Sequence, residues 1–312
     1  MRTTGWLLLA GMLGCGSGKA ETTGGGASTP SDTDTDTDAD ADTDTDTDTD
    51  TDTDTGSTSS PTDFTRPGVS VVTQQTGSLG LKGCTLSYTE YLPDGIDDGP
   101  LLLLGHGFQR KARHVADLAA HVATHGVRVV TPDYCHSTFL DADHPQNGAD
   151  AVALVAEVGA GQPVVYAGHS AGGLAALFAG ADDPMAVAVM GLDPVDSDNG
   201  AEQALAGITV PVWAVFGEPT ACSSNANMVA PLQAHGADLN ALPGANHCDF
   251  EAPTDTLCTA VCGNQTGVTE EVRGLLTAYA VAYLGSDPTA VAWLPGGTSY
   301  DALVSGGVLL EL

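Results

Sequence analysis

Positive charge is scarce in this chain. Its 312 residues include 9 Lys and Arg against 40 Asp and Glu, which gives a formal net charge of −31 at pH 7. Proteins that bind nucleic acids contact phosphates through clustered cations, so this balance excludes a nucleic-acid partner. The acidity favours solubility and does not define a substrate.

Long apolar segments are also missing, and the one at the N-terminus is confined to residues 1–14. It carries one early cation and is too short to cross a bilayer as a helix, so it predicts a secretory signal peptide. Cys15 follows Met12-Leu13-Gly14, a sequence that resembles the lipobox of bacterial lipoproteins. The resemblance implies a leader over residues 1–15 and a lipidated Cys15 that anchors an exported protein in the cell envelope, at the outer membrane or cell surface. Ordinary cleavage after Ala20 is the alternative.

Large apolar side chains are absent from residues 16–62. Between Asp32 and Thr55 the chain alternates almost purely between Thr and Asp, with twelve aspartates and no cation. Repulsion between the charges and the lack of apolar surface predict a disordered tether over residues 16–62. Because it lacks the glycine-punctuated loop of a calcium site, we expect only diffuse counterion binding there.

Cysteine is infrequent but informative. If lipid occupies Cys15, six cysteines remain, enough for three disulfides in an exported protein, and their pairing is left open by the sequence. Cys258 and Cys262, with His247 and Cys248 nearby, could ligate zinc, but the paired Cys-x-x-Cys spacing of structural zinc sites is missing. We therefore expect no metal.

Short apolar runs alternate with helical patterns across residues 63–312, which predicts one α/β domain with a doubly wound, mostly parallel sheet. The middle runs are continuously apolar, as in strands covered on both faces, and the first two suit an antiparallel hairpin. Only a short segment separates Leu192 from Val210, which leaves no room for a large lid. The predicted strands are 69–73, 85–91, 101–104, 127–131, 164–167, 186–192, 210–216 and 237–242, and the predicted helices are 111–125, 147–159, 171–180, 225–234 and 269–284.

A serine flanked by glycines lies in the segment Gly168-His169-Ser170-Ala171-Gly172, between a predicted strand and a predicted helix. So sharp a turn strains the serine backbone and needs glycine on both sides, because any Cβ there would collide with the neighbouring strand or helix. The turn exposes the hydroxyl at a helix N-terminus, whose dipole favours developing negative charge. The pattern predicts Ser170 as a nucleophile, and a purely structural turn is the alternative.

A serine hydroxyl needs a base to remove its proton, and a carboxylate to orient that base. Among the nine histidines, His247 follows the last predicted strand, at the sheet edge where catalytic groups gather in such folds. The carboxylate has three candidates. Asp193 ends the strand before a proline and is favoured, while Asp196 in the same turn and Glu218 after the next strand remain alternatives.

Acyl transfer also requires hydrogen-bond donors for the oxyanion that forms during attack. The N–H of Ala171, directly after the serine, is one predicted donor. The second is predicted in the His106-Gly107-Phe108 turn, most simply the N–H of Phe108. His106 and His169 are expected to serve packing.

The segments Pro100–Phe108, Gly168–Gly173, Gly191–Asp196 and Asn246–His247 together resemble the α/β-hydrolase fold, and within it the chlorophyllase-like and dienelactone-hydrolase-like esterases. The resemblance covers residues 69–284. It implies a serine esterase without a cofactor, acting on a small-molecule or polymeric ester. Chlorophyllases are similar in placing the triad acid in an Asp-Pro-Val turn, which supports Asp193. The segment 286–312 has no counterpart in the resemblance.

The sequence thus predicts a carboxylic ester hydrolase with Ser170, His247 and Asp193 as its triad. A peptidase or acyltransferase on the same fold is one alternative. A catalytically silent surface protein that retains the fold for binding is another.

Overall fold

The computed structural model describes residues 61–285 and 287–312. The predicted signal peptide, Cys15 and the acidic tether up to residue 60 lie outside the described residues. Within the described residues, no helix is both long and apolar enough to cross a bilayer. Thr62, which the sequence assigns to the tether, is already tied to the folded part, because its hydroxyl donates to Asp287 Oδ2 at 2.8 Å.

The described chain is a mixed α/β structure around a nine-stranded, mostly parallel sheet. The strands are β1 (Val72–Leu81), β2 (Cys84–Pro93), β3 (Leu101–Gly105), β4 (Arg128–Asp133), β7 (Val164–His169), β8 (Ala186–Leu192), β9 (Val212–Phe216), β10 (Asp238–Ala241) and β11 (Leu310–Glu311). Their order in the sheet is β1-β2-β4-β3-β7-β8-β9-β10-β11. The six central strands pair in parallel, in the sheet order β4, β3, β7, β8, β9 and β10. The outer strands β1, β2 and β11 pair antiparallel. A separate hairpin contains β5 (Ser137–Thr138) and β6 (Asp141–Ala142).

Helices follow most of the parallel strands. They are α1 (Ala116–Thr124), α2 (His144–Val158), α3 (Ala171–Asp182), α4 (Gly200–Leu205), α5 (Val229–His235), α6 (Thr256–Cys262), α7 (Thr269–Leu284) and α8 (Thr298–Ser305). Short 3-10 helices span Ala112–Val115, His247–Phe250 and Pro288–Trp293.

Alternation along the strands divides the core between the two faces of the sheet. In β3, Leu102 and Leu104 pack in the cluster formed with α1 and α7, whereas Leu101 and Leu103 pack in the cluster formed with α2 and α3. All four side chains are fully buried. A strand covered on both faces needs apolar residues at every position, which explains the continuous runs in the sequence. The prediction of an α/β fold with a mostly parallel sheet is confirmed.

Several predicted boundaries are wrong. The first strand begins at Val72 rather than Val69, since Val69 is fully exposed, and its pairing with β2 continues to Leu81. The helix predicted over 111–125 is divided into a 3-10 turn and α1, and the one predicted from residue 225 begins at Val229. The short helices α4, α6 and α8 were not predicted, because each is too short for a periodic pattern.

The C-terminal segment, to which the sequence assigned no role, completes one edge of the sheet. Strand β11 pairs with β10, and the buried amide of Asn240 accepts from Trp213 Nε1 at 2.7 Å and donates to the Tyr300 hydroxyl at 2.9 Å. Trp293 Nε1 donates to the carbonyl of Thr62 at 3.0 Å. These contacts connect the segment to both the last parallel strand and the start of the described chain.

Candidate active site

Ser170 lies at the turn between β7 and α3, with φ 56° and ψ −125°. A side chain in such backbone angles is strained, and the strain persists only where the surroundings enforce it. Three hydrogen bonds do so here. The N–H of Ser170 donates to the carbonyl of Leu192 at 3.0 Å, and its carbonyl accepts from the N–H groups of Gly173 and Val195 at 2.9 and 3.2 Å.

The glycines on either side of Ser170 are required by close backbone contacts. A Cβ built on Gly168 would lie 2.2 Å from the carbonyl oxygen of Gly172, and one on Gly172 would lie 2.6 Å from the carbonyl oxygen of His106. Any side chain would therefore force the strand, the turn or the helix to move. The collision that the sequence pattern predicts is present on both sides of the serine.

His247 and Asp193 are joined by a hydrogen bond of 2.6 Å between Nδ1 and Oδ2. The other oxygen of Asp193, Oδ1, accepts from the N–H of Gly217 at 3.1 Å. Asp193 is fully buried and has φ 42° directly before Pro194, so its carboxylate is held from several directions. With Nδ1–H donating to Asp193, the imidazole of His247 carries its unprotonated nitrogen at Nε2.

The two alternative carboxylates are engaged elsewhere. Asp196 Oδ1 accepts from the N–H of Ala201 at 2.9 Å in the first turn of α4. Glu218 is exposed, and its Oε1 accepts from the N–H of Gly244 at 3.0 Å. Within the described residues, Asp193 is the carboxylate that hydrogen bonds to the His247 ring.

The N–H groups of Phe108 and Ala171 are available beside the serine. Ala171 is the first residue of α3, so its N–H has no acceptor within the helix. In the described part of the chain, the N–H of Phe108 has no hydrogen-bond acceptor. The turn before Phe108 packs directly on the serine, since a Cβ on Gly107 would lie 3.1 Å from the Cβ of Ser170.

His106 fixes the turn that carries Phe108, in agreement with its expected packing role. Its Nδ1 donates to the carbonyl of Gly107 at 2.8 Å, and its Nε2 accepts from the N–H of Tyr134 at 3.0 Å. Burial lowers the pKa of His106 to about 4, because the charged ring would lose its hydration. His106 is therefore a neutral structural side chain.

His169 holds the backbone of the loop that follows β10 and carries His247, here called the histidine loop. Its Nε2 donates to the carbonyl of His247 at 3.0 Å, and the two rings lie 4.5 Å apart between centroids. Burial, with the adjacent His247 ring, lowers the pKa of His169 well below its usual range. A neutral His169 thus positions the backbone of His247 without competing for protons.

We expect the fold to lose stability as the pH falls from about 6.5 to about 4. His106 and His121 are buried with a pKa lowered to about 4, whereas each titrates near 6.5 when unfolded. In that window the unfolded chain binds protons that the native chain rejects, so native stability is complete above pH 6.5 and declines below it. At pH 5 the loss is about 2 kcal/mol for each histidine. Urea unfolding at pH 7.5 and pH 5 measures it.

The matched variants for this experiment are His121→Gln and His235→Gln. Gln at position 121 retains a donor toward the carbonyl of Phe64, which His121 Nε2 contacts at 2.8 Å, but cannot titrate. Unfolding of His121→Gln should take up about one proton fewer than unfolding of the wild type, so its free energy of unfolding should depend less steeply on pH. His235 is exposed, so its replacement should change nothing. Equal pH slopes for the wild type and His121→Gln would contradict the prediction.

An ion-pair cluster beside the cleft was not predicted. Arg110 Nε donates to Glu251 Oε2 at 2.8 Å and its Nη1 donates to Asp255 Oδ1 at 3.0 Å. His114 Nε2 also contacts Asp255, at 3.0 Å. Burial opposes the charge on Asp255, but hydrogen bonds from the Cys258 N–H, Arg110 and His114 outweigh it and lower the pKa of this carboxyl. No local sequence signal connects residues about 140 positions apart.

Three disulfides are formed, as the cysteine count permits: Cys84–Cys135, Cys222–Cys262 and Cys248–Cys258. Two of them fasten α6, one to the residue after His247 and the other to the loop after β9. The sulfurs of Cys248, Cys258 and Cys262 lie within 4.8 Å of one another. Zinc binds thiolates, and these sulfurs are in disulfides, so this cluster does not present a zinc site in the oxidised protein.

A cleft of about 280 Å³ contains both Ser170 and His247. Its lining comes from the Phe108 turn, the hairpin of β5 and β6, the histidine loop and α6. The segment between Leu192 and Val210 forms only the short helix α4. Among the described residues, neither this segment nor the C-terminal segment lines the cleft. The structure thus brings five predicted site residues to the carboxyl ends of the parallel strands: Ser170, His247, Asp193, Phe108 and Ala171.

No family model matches this chain, and comparison with curated proteins gives no significant match.

Proposed function

We propose that this chain is a serine hydrolase of the α/β-hydrolase fold that cleaves carboxylic esters through an acyl-enzyme intermediate. The observation that carries the proposal is the 2.6 Å hydrogen bond between His247 and the buried Asp193, at a cleft that also holds Ser170. A histidine oriented by a carboxylate next to a serine on a strained strand-to-helix turn is the arrangement that activates a hydroxyl nucleophile.

In the first half of the reaction, the Ser170 hydroxyl oxygen attacks the ester carbonyl while His247 Nε2 takes its proton. The carbonyl π bond opens, and the resulting oxyanion accepts hydrogen bonds from the N–H groups of Phe108 and Ala171. Asp193 stabilises the imidazolium that forms. The tetrahedral intermediate then collapses, the ester C–O bond breaks, and His247 returns the proton to the leaving alcohol.

In the second half, water attacks the acyl-serine with His247 again accepting a proton. A second oxyanion forms in the same site, and its collapse releases the carboxylic acid and the Ser170 hydroxyl. Each half consumes and returns one proton at Nε2, so the chemistry requires no group outside the chain and water.

We also propose that the N-terminus places this domain outside the cell. The lipobox-like sequence before Cys15 supports lipidation, and the acidic segment after it supports a spacer between a membrane surface and the domain. The three disulfides of the described residues agree with an oxidising compartment.

The test is labelling and turnover by the full chain. We expect a fluorophosphonate probe to modify Ser170, identified by peptide mass spectrometry, and p-nitrophenyl esters from acetate to palmitate to be hydrolysed to free acid. Transfer of the acyl group to an added alcohol in preference to water would favour an acyltransferase. Cleavage of peptide p-nitroanilides without cleavage of esters would favour a peptidase. An unlabelled, inactive but folded chain would favour a binding protein.

A further inference from the structure

The cleft that holds Ser170 and His247 has an apolar rim on two separate segments. On one side is Phe139, at the tip of the β5–β6 hairpin, 82% exposed and packed edge-to-face on Phe108 with ring centroids 5.2 Å apart. On the other side, α6 presents Leu257 and Val261, which are 57% and 70% exposed. All four side chains line the cleft. Large apolar groups left in water around a concave site indicate a binding surface.

The charges in this lining are already satisfied. Among the described residues that line the cleft, Arg110 is the one Lys or Arg and Glu251 is the one Asp or Glu. They form a buried pair with each other, at 8% and 0% side-chain exposure. Neither is available to recognise a charged substrate without breaking that pair, which is costly for buried ions. The cleft therefore favours an uncharged ligand.

The α6 wall is held in place by covalent bonds. Cys258 joins it to Cys248, directly after His247, and Cys262 joins it to Cys222. A short helix with exposed apolar side chains has little packing of its own to fix its position, and the two disulfides provide that constraint. Leu257 and Val261 are thus presented to the cleft from a rigid wall.

We propose that this apolar rim, formed by Phe108, Phe139, Leu257 and Val261, binds an apolar group adjacent to the scissile bond of an uncharged ester. The inference rests on the proposed function and names its substrate class. The fitting group is a short alkyl chain or a single aromatic ring, because the cleft of about 280 Å³ lies near the lower limit of small-molecule sites. The group belongs to either the acyl or the alcohol part of the ester.

A lipid surface is the competing occupant of these exposed side chains. The observations favour the substrate, since the rim residues line the same cleft as Ser170, and since the strongly acidic chain is repelled by anionic lipid headgroups. Leu140 distinguishes a substrate bound in the cleft from a lipid surface. It is fully exposed beside Phe139 at the hairpin tip, but it does not line the cleft.

The experiment compares Phe139→Ser and Leu257→Ser with two matched controls, Leu140→Ser and Val291→Ser. All four side chains are more than half exposed, so the substitutions leave the fold intact. Two ester series are used below their solubility limits, one with varied acyl groups on p-nitrophenol and one with acetate on varied alcohols. In the series that places its apolar group in the rim, we expect the wild-type kcat/KM to rise about two- to fourfold per methylene up to a short chain.

The rim variants should lose about tenfold on esters with the preferred apolar group and less than about twofold on the smallest ester. The controls should match the wild type on every ester. An equal loss for all esters, or no loss, overturns the proposal. The same variants are also assayed on an emulsified ester. If Leu140→Ser and Phe139→Ser lose activity equally on the emulsion, and neither loses activity on the soluble esters, the rim is assigned to a lipid surface instead.

Binding in the Ser170→Ala background separates this proposal from the proposed function. Calorimetry measures how tightly Ser170→Ala binds p-nitrophenyl hexanoate and hexyl acetate. For the preferred ester of the two, adding Phe139→Ser to Ser170→Ala should weaken binding about tenfold. If the wild type labels with no probe and hydrolyses no ester, but this binding difference is observed, the esterase proposal fails and the apolar site stands. If esters are cleaved and the binding difference is absent, the apolar site fails alone.

Discussion

Replacing Ser170 with alanine should lower the kcat for ester hydrolysis by about 10⁶-fold, leaving only the residual rate enhancement that comes from the oxyanion site and from substrate binding. In the proposed reaction the hydroxyl oxygen of Ser170 forms the bond to the acyl group, and alanine has no atom that can form it. The turn itself is held by backbone hydrogen bonds to Leu192, Gly173 and Val195, none of which uses the hydroxyl. Initial rates on the best p-nitrophenyl ester measure the loss.

The control for this variant is its stability. Because the backbone contacts are retained, the free energy of unfolding should stay within about 0.5 kcal/mol of the wild type. Fluorophosphonate labelling should disappear in parallel with activity. Labelling or turnover that persists in a folded Ser170→Ala protein would place the nucleophile elsewhere in the chain.

Asp193→Asn should reduce kcat by about 10⁴-fold with little change in the fold. The two oxygens of Asp193 accept from different donors, His247 Nδ1–H and the N–H of Gly217. Asparagine has one oxygen, so its NH₂ must face one of those donors. If the oxygen stays on Gly217, the NH₂ faces Nδ1, which must then be unprotonated. The proton moves to Nε2, and His247 can no longer accept from the serine.

Glu218→Gln and Asp196→Asn are the matched controls, since both were candidates for the same role. Each contacts a backbone N–H away from the histidine ring, and an amide oxygen can still accept there. Both variants should retain activity within about twofold of the wild type. A large loss in Glu218→Gln with an active Asp193→Asn would reverse the assignment of the acid.

Several properties of the site depend on local sequence and are therefore readable from it. The turn around Ser170 needs glycine at positions 168 and 172 because backbone atoms lie closer than any Cβ permits. The His106-Gly107-Phe108 turn and the position of His247 after the last parallel strand are likewise short-range features. In a mostly parallel sheet the carboxyl ends of neighbouring strands meet, so these three segments come together once the strand order is right.

The identity of the partner of His247 was decided by tertiary structure. Asp193, Asp196 and Glu218 all follow strands that end near the histidine, and the sequence left them open. The choice depends on the φ of 42° at Asp193 and on the N–H of Gly217, which donates to the second carboxylate oxygen of Asp193. Such orientation comes from contacts between residues far apart in the chain, and no local pattern encodes them.

The elements that form the walls of the cleft could not be predicted from the sequence either. Helix α6 is too short for a periodic pattern, and its place is set by two disulfides whose pairing cannot be deduced from spacing alone. The Arg110 and Glu251 pair connects segments 141 residues apart. The same holds for the C-terminal segment, whose strand β11 is recognised only when it pairs with β10.

The sequence by itself thus determined the α/β class, the serine turn and the candidate base, because each depends on apolar periodicity or on backbone geometry within a few residues. Only the tertiary structure decided which carboxylate reaches His247, which cysteines pair and which apolar side chains face the cleft. These are matters of direction and distance between remote segments, and packing of the whole chain sets both.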